Sequence, residues 1–221
     1  LPDEEINITF WHIYGQGKSA LLDALIVEFE TLYPNINVES ISQGSYTDLK
    51  SKTISAINSG TTPDLIVGYP DHFAEYLNGN AIIPLDSFVE SETWGVDLTD
   101  FINSYVTENQ QYVDGMMYSM PYSKSTEMLI YNKTVFDYHG ITLPTDRPVT
   151  WEELEVYAET IVGDGYMQCD YLINYDSNEN LFINSIFQWD GKYTNIAGEI
   201  LIENPNTLTM LKYLDGLFES N

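Results

Sequence analysis

Three strand-like pieces decide the fold: INITFW at residues 6–11, INVESI at residues 36–41 and PDLIVG at residues 63–68. The first two alternate apolar and polar residues, which is typical of a half-buried β-strand. The third is a short, continuous apolar run of the kind found in strands that are covered on both faces. We therefore predict three β-strands within the first third of the chain.

Helical spacing fills the two gaps between these strands. In the first gap, apolar residues recur at steps of three and four and predict a single core-facing surface. That surface comprises Leu21, Leu22, Leu25, Ile26, Phe29, Leu32 and Tyr33. In the second gap, residues 46–57 restore the spacing and Gly60 ends the helix. The order strand, helix, strand, helix, strand predicts βαβ units on a largely parallel sheet, and hence an α/β fold.

The loops that follow the strands predict a ligand site. Ligands of open parallel sheets bind outside the carboxyl ends of the strands, where these loops converge. The loops contribute Trp11, His12, Tyr14, Tyr46, Tyr69, Asp71 and His72. Trp11 is equally compatible with core packing, and His12 with a buried structural histidine.

The second half of the chain favours helices. Residues 150–153, Thr-Trp-Glu-Glu, have the pattern of a capping box, and further helices are predicted at residues 180–188 and 208–218. Before them, residues 117–122 and 127–131 have the pattern of two extended segments. The change from strands to helices therefore falls at these extended segments.

We place a lobe boundary between Lys124 and Tyr131. Residues 1–124 are predicted to form an N-terminal α/β lobe. Residues 125–221 are predicted to form the beginning of a second α/helical lobe, which is incomplete.

Composition excludes several classes of function. Eight Lys and Arg residues against 34 Asp and Glu residues give a net charge of −26, which repels nucleic acid and anionic lipid surfaces. A single cysteine excludes an internal disulfide and a cysteine zinc site, and we predict no metal and no cofactor. The chain contains 17 Tyr and 4 Trp, whose flat apolar faces and polar edges suit the binding of sugars.

Seven pieces of the sequence carry a family resemblance. In chain order they are ITFWH at 8–12, FETLYP at 29–34, GSY at 44–46, GTTPDL at 60–65, MPYS at 120–123, LIYNK at 129–133 and PVTWEEL at 148–154. Together they resemble the family 1 extracellular solute-binding proteins of carbohydrate ABC importers. Within that family, Trp11-His12, Gly44-Ser45-Tyr46 and Ser125-Thr126 look most like the glycerol-3-phosphate-binding branch.

The resemblance implies a periplasmic-binding-protein-like fold, in which two α/β lobes joined by a hinge close on a ligand in the cleft between them. It implies a sugar or sugar-like polyol as ligand, the glycerol-phosphate type included, and the permease of an ABC transporter as partner. A monomer located outside the cytoplasmic membrane, secreted or held as a lipoprotein, is expected. The targeting segment is then expected to have been removed, and the rest of the second lobe to follow Asn221.

The resemblance also implies roles for individual residues. Tyr46 matches a ligand-contacting tyrosine at a helix start, and Ser125 matches a hydroxyl near the hinge that binds the ligand. Tyr175 falls near an aromatic residue of the second lobe that stacks on the ligand. An acidic contact is expected soon after the third strand, but Pro70 occupies that place and Asp71 follows, which weakens the case for glycerol phosphate itself.

Two alternatives stay open from the residues. Either Tyr175 or Trp189 could supply the stacking face of the second lobe, because both are amphipathic aromatics. The rival class of function is a secreted carbohydrate-active enzyme that uses a pair of carboxylates. No catalytic motif ties such a pair together, since GxSxG, P-loop and HExxH patterns do not occur, and we predict a binding protein rather than an enzyme.

Overall fold

The computed structural model describes the chain in five stretches, residues 4–112, 114–166, 173–175, 177–195 and 197–219. Contacts between Cα atoms divide the chain into two compact units. Unit 1 is Leu1–Lys124 and unit 2 is Ser125–Asn221.

Unit 1 is built on a parallel three-stranded sheet with the order β2-β1-β3. The strands are β1 (Ile6–His12), β2 (Ile36–Ser42) and β3 (Leu65–Ile66). The predicted parallel sheet is confirmed, and β1 pairs with β2 along its whole length. The prediction for the third strand is wrong in extent and burial, because β3 pairs over two residues only and Leu65 is half exposed. Leu65 is half exposed whereas Val67 is buried, so the apolar run is covered unevenly.

In the described part of unit 1, five α-helices and one short 3-10 helix accompany this sheet. They are α1 (Gln16–Leu32), α2 (Tyr46–Ser59), α3 (Pro70–Asn78), α4 (Asp86–Val89), the 3-10 helix Leu98–Asp100 and α5 (Asn103–Glu108). The predicted end of α2 is confirmed, since Gly60 adopts a left-handed conformation with φ 71° and its N–H bonds back to the last turn. Residues 70–72, predicted to lie in a loop, form the first turn of α3. Proline is compatible with this position, because the N–H that it lacks would have no partner within the helix.

The apolar residues of α1 do not share one face, contrary to the prediction. Leu22 is buried, whereas Leu21, Leu25 and Leu32 are more than half exposed. Consecutive helical residues are about 100° apart, so Leu21 and Leu22 cannot both face the sheet. The apolar residues of α1 therefore lie along two lines of the helix surface, one of which faces the core while the other is exposed in unit 1.

The core of unit 1 lies around α3. Phe73 and Tyr76 on α3 pack with Tyr112, and partly buried apolar side chains surround them, among them Ile57 and Ile66. The rings of Phe73 and Tyr76 meet edge to face with centroids 5.8 Å apart. This core holds α3 against β3 and so fixes the loop that joins them.

Unit 2 is helical in its described part. Its helices are α6 (Lys133–Tyr138), α7 (Trp151–Ile161), α8 (Asn178–Gln188) and α9 (Pro205–Glu219). The predicted capping box is confirmed: the Thr150 hydroxyl accepts from the N–H of Glu153, whose carboxylate accepts from the N–H of Thr150. The two later helices also occur, and each begins two or three residues before its predicted start. Val135, Phe136 and Ile161 form a core cluster.

Residues 117–122 and 127–131, predicted to be extended, contain neither helix nor strand. Across the described stretches, no helix combines the length and the apolar character that are needed to cross a membrane.

Candidate ligand-binding site

Four tyrosines of unit 1 form the centre of the candidate site. Tyr14 follows β1, Tyr46 begins α2 directly after the β2 loop, and Tyr69 follows β3. Tyr122 joins them from the irregular segment that ends unit 1, and we call the four residues the tyrosine cluster. The ring centroids of Tyr46 and Tyr69 lie 4.3 Å apart, and those of Tyr14 and Tyr122 lie 6.2 Å apart. The topology thus places three of the rings at the carboxyl edge of the sheet, as the loops predict.

A capping box fixes the position of Tyr46. The Ser45 hydroxyl accepts from the N–H of Asp48 at 3.1 Å, and the Asp48 carboxylate accepts from the N–H of Ser45 at 3.0 Å. Gly44 stands before the box with φ 101°, a conformation that glycine adopts without strain. The hydrogen bonds from Ser45 lower the pKa of Asp48, so the box is closed at neutral pH. Tyr46 is therefore presented on a rigid helix start.

The hydroxyls of Tyr14 and Tyr46 keep their protons. Burial raises the pKa of Tyr46, and the neighbouring hydroxyls of Tyr69 and Tyr122 add to this effect. The pKa of Tyr14 is raised by burial and then by its hydrogen bond with Tyr122. Neutral hydroxyls both donate and accept hydrogen bonds, so the cluster offers the two kinds of contact that a polyol requires.

A cavity of about 780 Å³ lies beside the cluster within unit 1. Its volume falls in the range of about 300–1,000 Å³ that is typical of small-molecule sites. The lining includes Tyr46, Tyr69 and Tyr122 together with the core residues Phe73 and Tyr76. The site therefore combines apolar walls with hydroxyl groups at one side.

His72 supports the cluster from α3, while Asp71 faces solvent. The His72 ring meets Tyr69 edge to face at 5.5 Å and Tyr46 at 6.4 Å. The ring is buried, its Nδ1 has no hydrogen-bond partner within the described stretches, and burial lowers the pKa of His72. The Asp71 carboxylate is exposed and lies 3.8 Å from Nε2 of His72. Asp71 as a ligand contact stays a prediction.

His12 contacts Tyr14 of the tyrosine cluster, whereas Trp11 lines a different cleft of unit 1. His12 is almost fully buried: its Nδ1 accepts from the N–H of Tyr14 at 3.0 Å, and its Nε2 lies 2.9 Å from the Ser40 hydroxyl. Both ring nitrogens are thus occupied, which favours the structural alternative. Trp11 lines a separate, open cleft of about 410 Å³ along α2 with Ser55 and Ser59. Neither residue lines the large cavity, and their ligand contacts stay predictions.

In unit 2, a carboxylate fixes Tyr175. The Tyr175 hydroxyl donates to Oε2 of Glu127 at 2.5 Å, and the side-chain amide of Asn184 on α8 donates to the same oxygen. We call these three residues the Glu127 triad. Ser125 lies two residues before Glu127 and is exposed. Tyr175, which the family resemblance predicts as a ligand contact, therefore lies against the segment that also contains Ser125.

Trp189 belongs to a different aromatic group of unit 2. Its ring lies 6.0 Å from that of Trp151 and 5.2 Å from that of Tyr213. The indole N–H of Trp151 donates to Gln188 at 2.7 Å, and the Tyr213 hydroxyl donates to Glu155. The polar groups of Trp151 and Tyr213 therefore form hydrogen bonds within unit 2. A ligand contact for Trp189 stays a prediction.

The sequence analysis missed three members of these groups. Tyr122 lies within the family-like piece at 120–123, so its position in the motif was the available signal. Glu127 is a single acidic residue before an apolar run, and Asn184 lies on a helix face. Nothing in the local sequence around Glu127 or Asn184 predicts that these two side chains form a hydrogen bond. Within the described stretches, no group of three or more His, Cys, Asp or Glu side chains is arranged to hold a metal ion.

Comparisons with known proteins give the context of the site. The sequence pattern of the family described as bacterial extracellular solute-binding protein matches residues 14–218. The sn-glycerol-3-phosphate-binding periplasmic protein UgpB of Escherichia coli K12 is 27% identical over 165 residues. That match covers 75% of this chain and 37% of the relative, so the chain spans well under half of that protein.

Two solved structures share the fold. UgpB from Mycobacterium tuberculosis in complex with glycerophosphocholine matches with a TM-score of 0.72 and 21% identity, over 94% of this chain and 51% of that one. The cyclic alpha-maltosyl-1,6-maltose binding protein from Arthrobacter globiformis matches with a TM-score of 0.71 and 22% identity, over 98% of this chain and 55% of that one. At these identities the likeness concerns the fold alone.

Proposed function

We propose that this chain, which belongs to the bacterial extracellular solute-binding protein family, is part of the substrate-binding component of an ABC importer. It captures a sugar or a glycerophosphate-type solute outside the cytoplasmic membrane and delivers it to the membrane permease. We further propose that it acts as a monomer, secreted or held by a lipid anchor. No bond of the solute is made or broken.

The observation that carries this proposal is the tyrosine cluster beside the 780 Å³ cavity. Tyrosine rings present apolar faces to the C–H face of a sugar, while their hydroxyls exchange hydrogen bonds with its O–H groups. We propose Tyr46, Tyr69, Tyr14 and Tyr122 as the contacts from unit 1. Ser125 and Tyr175 are the proposed contacts from unit 2.

The names of the similar proteins support both classes of solute. The Escherichia coli relative is named for sn-glycerol 3-phosphate and the Arthrobacter globiformis structure for a cyclic maltosyl-maltose. Binding stabilises a protein by mass action, and a ligand shifts a conformational equilibrium only by its differential affinity for the two states. Capture and release therefore require no catalytic residue.

A thermal-shift screen tests the proposal. The purified protein is heated with neutral mono- and oligosaccharides, polyols, sn-glycerol 3-phosphate and glycerophosphocholine. A true ligand at a hundredfold excess over its Kd stabilises the native state by about 2.7 kcal/mol, which raises the midpoint measurably. We expect Tyr46→Ala to abolish that rise.

Tyr33→Ala is the matched control, because Tyr33 lies at the C-terminal end of α1, before β2, and packs against Phe29 instead. We expect this variant to keep the ligand-dependent rise. If no compound shifts the midpoint, or if the protein hydrolyses glycosidic bonds in the panel, the proposed function is wrong and the carboxylate-pair enzyme takes its place.

A further inference from the structure

The Glu127 triad links three separate parts of unit 2 through one carboxylate. Glu127 lies in an irregular, exposed segment, yet two separate parts of unit 2 donate to its carboxylate. One donor is the hydroxyl of Tyr175, and the other is the amide of Asn184 on α8. A surface carboxylate that is held from two sides has a fixed position, in contrast to the usual mobile glutamate.

Both donors use the same oxygen of Glu127. They bond to Oε2, and no hydrogen bond to Oε1 occurs among the residues that the structure describes. A carboxylate has about four acceptor positions on its two oxygens, and the described residues occupy none of those on Oε1. The triad therefore presents a positioned acceptor next to the ring of Tyr175, one that no described residue uses.

The negative charge of Glu127 is not offset by a cation. No Lys, Arg or His nitrogen of the described stretches lies within 4.0 Å of its carboxylate, and Lys133 and Arg147 of unit 2 form pairs with Asp137 and Glu153. Like charges in close contact repel, whereas a hydroxyl donor gains a charge-assisted hydrogen bond. The same carboxylate thus favours a hydroxyl and disfavours a phosphate.

The protonation of Tyr175 fits this arrangement. Burial raises the pKa of Tyr175, and its hydrogen bond to Glu127 adds to that effect. The hydroxyl therefore keeps its proton and remains the donor to Oε2. Its ring is held in place by the same bond, with the carboxylate at its edge.

We propose that Glu127 is the residue that sets the ligand class, selecting a neutral, hydroxyl-rich solute and rejecting a phosphate monoester. Its Oε1, which accepts no hydrogen bond from the described residues, accepts hydrogen bonds from ligand hydroxyls beside the ring of Tyr175. This inference rests on the proposed function and narrows it from two classes of solute to one.

Isothermal titration of the purified protein tests this selection. The probes are maltotriose and mannotriose as neutral solutes and sn-glycerol 3-phosphate as the phosphate monoester. We expect the wild type to bind at least one trisaccharide more tightly than sn-glycerol 3-phosphate. Glu127→Gln keeps an acceptor for Tyr175 and Asn184 but removes the charge, so we expect the ratio of the two affinities to change at least tenfold in favour of the phosphate.

Glu159→Gln is the control, because it makes the same charge change on the exposed outer side of α7. It should leave the affinity ratio unchanged. Tyr175→Phe removes one donor and keeps the ring. We expect weaker trisaccharide binding by this variant, with the preference for the neutral solute retained, and a midpoint of unfolding measured without ligand shows whether each variant is folded.

The outcomes separate the two proposals. If sn-glycerol 3-phosphate binds the wild type more tightly than both trisaccharides, or if the Glu127→Gln ratio equals that of Glu159→Gln, the inference is overturned and the proposed function stands. If the wild type binds neither class of probe, both the proposed function and the inference are contradicted.

Discussion

The tyrosine cluster of unit 1 and the aromatic group of Trp151, Trp189 and Tyr213 in unit 2 are built from similar side chains but differ in how their polar ends are used. In unit 2, Gln188 accepts from the indole N–H of Trp151 and Glu155 accepts from the Tyr213 hydroxyl. In unit 1, the hydroxyls lie near one another beside a cavity. A high content of tyrosine and tryptophan therefore does not identify a binding site by itself.

The two groups also differ in what holds them in place. Three rings of the tyrosine cluster, those of Tyr14, Tyr46 and Tyr69, follow the ends of parallel strands, so the backbone register of the sheet fixes their spacing. In unit 2, Trp151 and Tyr213 lie on helices and Trp189 directly follows α8, and contacts between the side chains hold these rings together. Loops at strand ends can carry binding residues because a rigid scaffold positions them. The tyrosines at the strand ends are the proposed ligand contacts, whereas the rings of Trp151, Trp189 and Tyr213 pack against one another.

Core truncations should give the largest effect and show whether the two units depend on the same kind of packing. Leu49 on α2 and Ile186 on α8 are both fully buried. We expect Leu49→Ala and Ile186→Ala each to lower the free energy of unfolding by about 2–5 kcal/mol, through lost burial and the cavity left behind. Urea denaturation followed by circular dichroism measures this loss.

Ile54→Ala is the control for Leu49→Ala, since Ile54 lies on the same helix but is 37% exposed. Its truncation should cost clearly less. Equal losses for the two α2 variants would show that burial in unit 1 is not as described.

Ligand affinity should separate the two aromatic groups next. We expect Tyr46→Ala to weaken binding of the ligand found in the thermal-shift screen at least tenfold, which corresponds to about 1.4 kcal/mol. Trp189→Phe keeps a ring against Tyr213 and should leave the Kd within about twofold, while lowering the stability of unit 2. Titration calorimetry gives both constants. A larger loss for Trp189→Phe than for Tyr46→Ala would reverse the assignment.

Substitutions in the two capping boxes should have smaller effects on stability, of similar size in the two units. Ser45→Ala removes the side-chain acceptor at the start of α2, and Thr150→Ala does the same for α7. Each change should lower the free energy of unfolding by about 1 kcal/mol. Thr47→Ala, at an exposed position in the first turn of α2, is the control and should have little effect. If Ser45→Ala also weakens ligand binding while Thr150→Ala does not, the cap of α2 serves to position Tyr46.

The smallest effect concerns pH. The Arg147 side chain and then the N–H of Thr150 hold the pKa of Glu153 at about 2. A glutamate in the unfolded chain titrates near pH ~4.3, so this carboxylate stabilises the fold above that pH and loses its contribution as the pH falls through about 2. We expect the Tm of Glu153→Gln to fall less steeply than that of the wild type between about pH 4.5 and pH 2.

Differential scanning calorimetry across that range measures the difference, with Glu159→Gln as control. Parallel curves for Glu153→Gln and wild type would show that the Arg147 pair does not contribute.

The sequence predicted the parts of the fold that depend on local pattern. Alternation and helical spacing identified β1, β2, α1 and α2, and the Thr150 capping box identified the start of α7. It did not predict that the apolar residues of α1 divide between two faces, because Leu21 and Leu22 both fit a broad apolar stripe. Nor did it predict the two-residue length of β3, since pairing at a sheet edge depends on neighbours that are distant in the chain.

For the candidate site, the sequence by itself determined which residues stand at the ends of the strands. Tyr14, Tyr46 and Tyr69 followed from the order of the elements, because the carboxyl ends of parallel strands lie on one edge. Only the tertiary structure decided which side chains share hydrogen bonds. Asn184 donates to a carboxylate oxygen of Glu127, which lies 57 residues earlier in the chain. Both nitrogens of His12 are occupied within unit 1. The spacing of apolar residues predicts the backbone conformation over one or two turns. Contacts between side chains that are distant in the sequence form only when the packed helices and strands bring them together.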